Sequence, residues 1–255
     1  MTNIKQQTNI AIIFAGGTGQ RLNGADATPK QFLKVNNKPV IIHTLELFQQ
    51  NQNIDKIYIS IIESHYEHMK SLIKYYYLTK VTGITTGGAT SQDSIYKALK
   101  LAQEENSENS IVLIHDGVRP NITQETINKN IETAINKGTA ITCTPCHETV
   151  LISESGICPT RVPYRRETYT AQAPQTFKLG ELIEAHDIER KTNPKYIDII
   201  DSCTLYTKQG KPTSMIRGNF GNIKITTIED MYILRALIRY KEDMEAFGFE
   251  KNGDK

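Results

Sequence analysis

The 255-residue chain predicts an α/β fold, a mainly parallel sheet with helices on both faces. Three observations lead there. Short β-branched runs alternate with stretches of helical period. With 38% hydrophobic and 23% charged residues the chain can bury a substantial core. Neither an internal repeat nor a low-complexity linker divides it, so a single domain over 1–255 is expected.

The runs "IAIIF" (10–14), "KIYISII" (56–62), "VTGITT" (81–86), "SIVLIHD" (110–116) and "TAITCT" (139–144) are short and β-branched and read as strands. Between them "VIIHTLELFQQ", "HYEHMKSLIKYYY", "SQDSIYKALKLAQEE" and "TQETINKNIETAINKG" carry helical spacing, which makes the series a set of βαβ units. The pattern falters over 147–173, "HETVLISESGICPTRVPYRRETYTA", which alternates around a Ser-Glu-Ser-Gly turn without a helical period. Structureless loops of this length are uncommon in compact domains. Its sides are too polar for a central strand and too apolar for disorder, so a protruding β-arm that packs on a second subunit is expected. A helix over Leu179–Arg190, a shorter one from about Asp201, a strand in "TSMIRG" and a last helix over Ile228–Ala246 complete the chain. In that last helix Met231, Leu234, Leu237, Ile238 and Met244 form a stripe read as core.

The formal net charge of +2 and the absence of any run of five or six like charges give no nucleic-acid or membrane surface. The first residues hold too few apolar side chains before glycine for a signal sequence or a membrane span, so the expected compartment is the cytoplasm. Four cysteines in that setting read as free thiols. "CTPCH", Cys143 to His147, matches a haem-attachment spacing and raises an electron-transfer alternative, against which stand the missing export signal and axial-ligand context.

The first strand runs into "AGGTGQRL". Gly16, Gly17 and Gly19 leave backbone N–H groups free to approach an anion, at the strand end where open α/β sheets bind ligands. Neither the Walker pattern nor the dinucleotide pattern fits, since Leu22 stands where the third dinucleotide glycine would. Instead the loop ends in Arg21, and Lys30 follows in "TPKQFL". Arginine grips phosphate with two donors and lysine supplies a point charge. Two such cations beside a glycine cradle suit a polyphosphate that gains charge as a bond breaks. A CTP-binding module without catalysis is the alternative, which the presence of both cations disfavours.

"FAGGTGQRL", "PKQFL", "GGATSQDSI", "HDGVRP", "APQTF" and "GNIKITTIED", in that order, resemble the cytidylyltransferases acting on sugar-alcohol phosphates, over Ala11 to Asp230. The resemblance implies a three-layer α/β/α, Rossmann-like nucleotidyltransferase that joins a phosphate monoester to the α-phosphorus of CTP and expels pyrophosphate. It implies that Arg21 and Lys30 are the catalytic cations, and that Ala15, Gly16, Gly17, Thr18, Gly19, Gly88, Ser94 and Asp116 bind CTP. In relatives the glycines of the second loop and the serine contact cytosine and ribose. Asp116 would lie near the metal-bound triphosphate and hold Mg²⁺. Thr149, Arg165 and Lys224 fall where the family binds the acceptor phosphate. The first two lie on an arm that in relatives crosses to the partner, which makes a homodimer part of the mechanism. Arg119 reads equally as a site residue or an ion-pair partner, and His115 reads as a hydrogen-bonded core histidine.

Two departures concern the acceptor. Methylerythritol enzymes commonly show "TDE" where this chain has "IDS", Ile200 to Ser202, and His147 with Glu148 replaces the usual residues before Thr149. A third departure is Ser91, where the family usually has arginine. The wording of "AGGTGQR", "PKQFL" and "IIHTLELF" is closer to the ribitol 5-phosphate branch. CDP-ribitol, a precursor of surface polymers, is the product expected, with methylerythritol 4-phosphate as the alternative acceptor.

Overall fold

The structure, a computed structural model, describes residues 8–17 and 28–247. The first strand, β1 (Asn9–Ala15), is followed by a two-stranded hairpin of β2 (Lys34–Val35) and β3 (Lys38–Pro39). Then come α1 (Val40–Gln50), β4 (Lys56–Ile61), α2 (Tyr66–Tyr75), β5 (Val81–Thr86), α3 (Ser91–Glu105), β6 (Ile111–Asp116), α4 (Gln124–Lys137) and β7 (Thr139–Pro145). The second half holds β8 (Tyr169–Lys178), α5 (Leu179–Thr192), α6 (Ser202–Lys208), β9 (Met215–Arg217) and α7 (Ile228–Phe247).

Among the described residues one seven-stranded sheet has the order β5-β4-β1-β6-β8-β7-β9. The pairs β1 with β4, β1 with β6, β4 with β5 and β7 with β9 are parallel, and β8 runs antiparallel to both neighbours. The period of two along β1 decides the layers. Ala11, Ile13 and Ala15 enter a cluster with Leu45 and Phe48 of α1, Met69 of α2 and Ile131 of α4. Ile10 and Ile12 enter the opposite cluster with Leu99 of α3, Leu182 of α5 and Tyr206 of α6. Helices thus cover both faces, as the alternation predicted. The chain leaves β1 toward β4 and β5, then returns to place β6 on the other side of β1, so the carboxyl ends of β1 and β6 flank a crevice where the connections diverge.

Two expectations need correction. The segment expected as an arm ends earlier than residue 173: from Tyr169 onward it is β8, a central strand. Ala173 to Phe177 is buried between β6 and β7 despite its polar content. Burial is tolerated because the polar groups are satisfied at long range. Thr176 Oγ1 donates to Asn130 Oδ1 at 3.0 Å, and Gln175 accepts from the Cys203 N–H at 2.9 Å while donating to Asp201 at 2.8 Å. Before β8 the segment closes through one antiparallel bridge, Ile152 with Arg161, and exposes Leu151, Ile157, Val162 and Tyr164.

The stripe on α7 is also only partly core. Met231 and Leu234 are buried against Val35, Val40, Val118 and Ile225, whereas Leu237, Ile238 and Met244 are half-buried and Tyr232, Ile233, Tyr240 and Phe247 are exposed. Among the described residues the buried positions of α7, Met231 and Leu234, lie in its first two turns, and Ile238 packs partly against the same cluster.

Candidate active site

Three loops converge at the carboxyl ends of the parallel strands. The first follows β1. Gly16 packs so closely on α3 that a Cβ there would stand 2.8 Å from Ser94 Oγ. The loop is pinned from the other side by Gln31, a buried residue whose Nε2 donates to Ala15 O at 2.9 Å and to Gly17 O at 3.3 Å. Lys30 precedes it in the same 3₁₀ turn, Lys30–Phe32, so the anchor that shapes the loop also fixes the base of the lysine. Arg21, Thr18 and Gly19 lie outside the described residues.

The second loop, Gly87–Gly88, follows β5 and touches the first. A Cβ on Gly87 would stand 3.4 Å from Gly16 Cα, and one on Gly88 would collide with Asp93 Cβ at 2.2 Å. Thr90 caps α3 by accepting from the Asp93 N–H, as its position before the helix dictates. Ser94, buried one turn in, donates to Thr90 O at 2.9 Å and accepts from the Gly88 N–H at 3.0 Å. Its hydroxyl therefore ties the second loop to the helix.

The third loop follows β6. Asp116 is buried, its Oδ2 accepting from Arg119 Nε at 2.9 Å and its Oδ1 from Lys224 Nζ at 2.6 Å. Burial pushes the Asp116 carboxyl up, but Lys224 and then Arg119 outweigh it and hold it below the usual carboxylate range. Arg119 also donates to Asn222 O at 2.8 Å, which joins the "HDGVRP" and "GNIK" segments. Arg119 is thus the ion-pair partner that one of its two readings proposed. His115 turns its Nε2 to Arg119 O at 3.1 Å and packs against Phe48. Burial lowers its pKa to about 4, so it is the neutral core histidine expected.

Beside the third loop, against the end of β1 and the start of α3, lies a cavity of about 170 Å³. Asp116, Arg119 and Lys224 make one wall, and Ser91, Gln92, Gln175, Asp201 and Ser202 supply uncharged amides, hydroxyls and one carboxylate on the rest. Gln92 Oε1 and Ser202 Oγ are buried there with no hydrogen-bond partner among the described residues. Ser91, Ile200 and Ser202, all departures from the family wording, line this same cavity. Thr149 and Arg165 do not: both are exposed, and Arg165 donates a long bond to His147 O at 3.4 Å. The haem spacing finds no support, because Cys143 is buried with its thiol toward Ile216 O. Among the described residues no cluster of three His, Cys, Asp or Glu side chains is placed to hold a metal. No helix among them is long and apolar enough to cross a membrane.

A glycine cradle at the switch point of a parallel sheet, beside a charged cavity, defines a protein of nucleotide-phosphate chemistry on a nucleotidyltransferase fold. Residues 9–240 match the family profile described as IspD, 2-C-methyl-D-erythritol 4-phosphate cytidylyltransferase, and the chain belongs to that family of cytidylyltransferases. Among curated relatives, a ribitol-5-phosphate cytidylyltransferase of Vibrio parahaemolyticus serotype O3:K6 is 41% identical, covering 94% of this chain and 100% of its own length. A 2-C-methyl-D-erythritol 4-phosphate cytidylyltransferase of Alkaliphilus oremlandii is 32% identical over 95% of this chain and 99% of its own. The solved 2-C-methyl-D-erythritol 4-phosphate cytidylyltransferase of Francisella tularensis superposes with a TM-score of 0.74 at 26% identity, covering 90% of this chain and 99% of that one.

Two features of the site escaped the sequence reading. Gln31 was legible only as part of "PKQFL", and the pairing of Asp116 with Lys224, 108 positions apart, has no local signal.

Proposed function

We propose that the protein transfers CMP from CTP to D-ribitol 5-phosphate, giving CDP-ribitol and pyrophosphate. The observation that carries this reading is the two-sided cavity beside the glycine loops. One wall offers Lys224 and Arg119 to a phosphate, and the rest offers amides, hydroxyls and the Asp201 carboxylate to hydroxyls. A polyol phosphate has that same division. Ile200, 83% exposed at the cavity, has a side chain without a hydroxyl, unlike the threonine of the methylerythritol wording, and this supports the ribitol branch, as does the identity to the Vibrio enzyme.

The chemistry asks little of a base. A phosphate monoester with a second pKa of about 6 is largely a dianion at neutral pH. Its oxygen forms the bond to the α-phosphorus, the α–β bridging bond breaks, and its electron pair leaves with pyrophosphate. The protein's part is alignment and neutralisation of charge. In this reading the Ala15 to Gly19 segment binds the triphosphate, Arg21 and Lys30 supply the charge that neutralises the phosphorus under attack, and Gly88 and Ser94 shape the nucleoside loop. Lys224 holds the acceptor phosphate. Asp116, a single ionised carboxylate, fits a Mg²⁺ that takes few protein ligands and several phosphate oxygens. That ion would neutralise triphosphate charge.

Thr149 and Arg165 do not line the cavity of their own chain, and the segment bearing them exposes Leu151, Ile157 and Tyr164. Both facts support an arm that packs on a second copy and completes its acceptor site. The four free thiols support a cytoplasmic setting. Pyrophosphate release from CTP is measured with ribitol 5-phosphate, methylerythritol 4-phosphate and glycerol 3-phosphate. Ribitol 5-phosphate is expected to give the highest kcat/KM, and a higher value with either other acceptor refutes the assignment.

A further inference from the structure

Three consecutive residues at the start of α3 face three different parts of the site. Ser94 holds the Gly88 N–H and packs under Gly16, on the nucleotide side. Gln92 lines the cavity and reaches Ile200 O with a long contact at 3.5 Å. Asp93, between them, abuts Gly88 and turns its carboxylate to Arg190 of α5, with Oδ1 at 2.5 Å from Nη1.

Arg190 does not end at that pair. Its guanidinium lies over the Tyr96 ring at 4.7 Å and near the Tyr196 ring at 5.8 Å. The Tyr196 hydroxyl is 2.7 Å from Nδ1 of the buried His186. Burial lowers the His186 pKa to about 3, so the ring is neutral. Tyr196 is itself buried and holds a left-handed φ of 52°, which a non-glycine residue adopts only when its surroundings impose it. From there the chain turns directly into the cavity wall: the Ile199 N–H donates to Tyr196 O at 3.1 Å, and Ile200, Asp201 and Ser202 follow.

We propose that the strap Asp93–Arg190–Tyr196 is a positioning device that holds the nucleoside loop and the acceptor wall in register, so that both substrates depend on one ion pair that touches neither. The inference rests on the functional reading above. Its physical basis is that Asp93 is wedged between Arg190 and Gly88. When Arg190 is lost, Asp93 loses the partner that orients it, and Tyr196 loses the cation that lies beside its ring.

The test compares Asp93→Asn, Arg190→Met, their double variant, Arg190→Lys and Tyr196→Phe. The readouts are initial rates with both substrates varied, CTP titration calorimetry, thermal melts, and amide hydrogen exchange over residues 87–90 and 197–203. Asp93→Asn and Arg190→Met are each expected to lower kcat/KM for CTP and for the acceptor alike, by about tenfold or more, as displaced reacting groups do. The double variant is expected to be no worse than the poorer single one, because the two residues act as a unit. Arg190→Lys is expected to restore part of the loss, and Tyr196→Phe to cost less than Arg190→Met. Both loops are expected to exchange faster in every variant. A loss confined to one substrate, additive losses, or lowered melting with both kcat/KM values within twofold of wild type overturns the proposal. Should Arg190→Met fail to fold, the near-isosteric Arg190→Lys and Tyr196→Phe decide by the same criteria. A wild type that binds CTP but turns over no polyol phosphate defeats the functional reading alone. CTP affinity and exchange in the two loops then decide the strap, and unchanged exchange in either loop overturns it.

Discussion

Adding one methyl group at two glycines separates the packing of the nucleotide loops from their chemistry. A Cβ on Gly88 would stand 2.2 Å from Asp93 Cβ and 3.0 and 3.1 Å from its carbonyl and α carbons. Carbon atoms rest at about 3.5–4.0 Å, so Gly88→Ala must part the loop from α3 by roughly 1 Å or more. The obstructing atoms are backbone and Cβ, which no rotamer can move aside. Asp93 is held by the Thr90 cap and by Arg190, so the loop is the part that gives. Overpacking of this kind costs about 1–3 kcal/mol, and a displacement of about 1 Å at a reacting site costs on the order of 10²-fold in rate. Gly17 is the opposite case: no described atom lies within 4 Å of its Cβ position, and its φ is outside the left-handed region. Gly17→Ala is therefore expected to keep the unfolding midpoint or raise it by about 0.4–1 kcal/mol through the unfolded chain, while KM for CTP rises because the methyl meets the triphosphate. Urea melts and CTP-dependent pyrophosphate release are measured on both variants. Unchanged stability and kinetics in Gly88→Ala refute the packing argument, and an unchanged KM in Gly17→Ala removes the triphosphate from this loop.

Arg21→Ala and Lys30→Ala are expected to lower kcat by about 10²–10³ with no change in the urea midpoint, and a folded variant keeping half its turnover contradicts their role. Lys224→Met leaves Asp116 with Arg119 alone. The acceptor KM is expected to rise about tenfold while that of CTP stays near wild type, as loss of one charged donor to the phosphate predicts, and two-substrate kinetics showing equal rises would sink it. Stability is expected to fall in acid before the bulk carboxylates titrate. His115 and His186 have folded pKa values of about 4 and about 3, lowered by burial, against an ordinary value of 6.5. The unfolded chain binds their protons first, so this contribution is fully present above pH 6.5 and is lost as pH falls toward 4. The slope is about 1.4 kcal/mol per pH unit for each histidine, and on the order of 3 kcal/mol is at stake for His115. Urea midpoints from pH 7 to 4 check it, and His115→Gln should lessen the slope by one proton's worth; an unchanged slope counts against the buried neutral ring.

Much of the active site was readable before any folding because its signals are local. The glycines after β1 and β5, the cap before α3 and the end of β6 at Asp116 all follow from residues within a turn or two of one another. Ser94 was expected to meet the nucleoside, yet its hydroxyl is engaged by Gly88 and Thr90, a detail that depends on how two loops stack. Likewise Ser91, Ile200 and Ser202 stand out in sequence as separate departures, and only folding brings them to one cavity.

The alternation of strands and helices, and with it the layered α/β architecture, was determined by the amino-acid order alone, since hydrophobic period is a property of neighbours three or four residues apart. The insertion of β8 between β6 and β7, the Asp116–Lys224 pair and the strap from Asp93 to Tyr196 were decided by tertiary structure. Their polar pairs join groups 26 to 108 positions apart, and each buries polar atoms that are tolerable only because a distant partner arrives to satisfy them. Local patterns register polarity. They hold no record of which remote group will answer it.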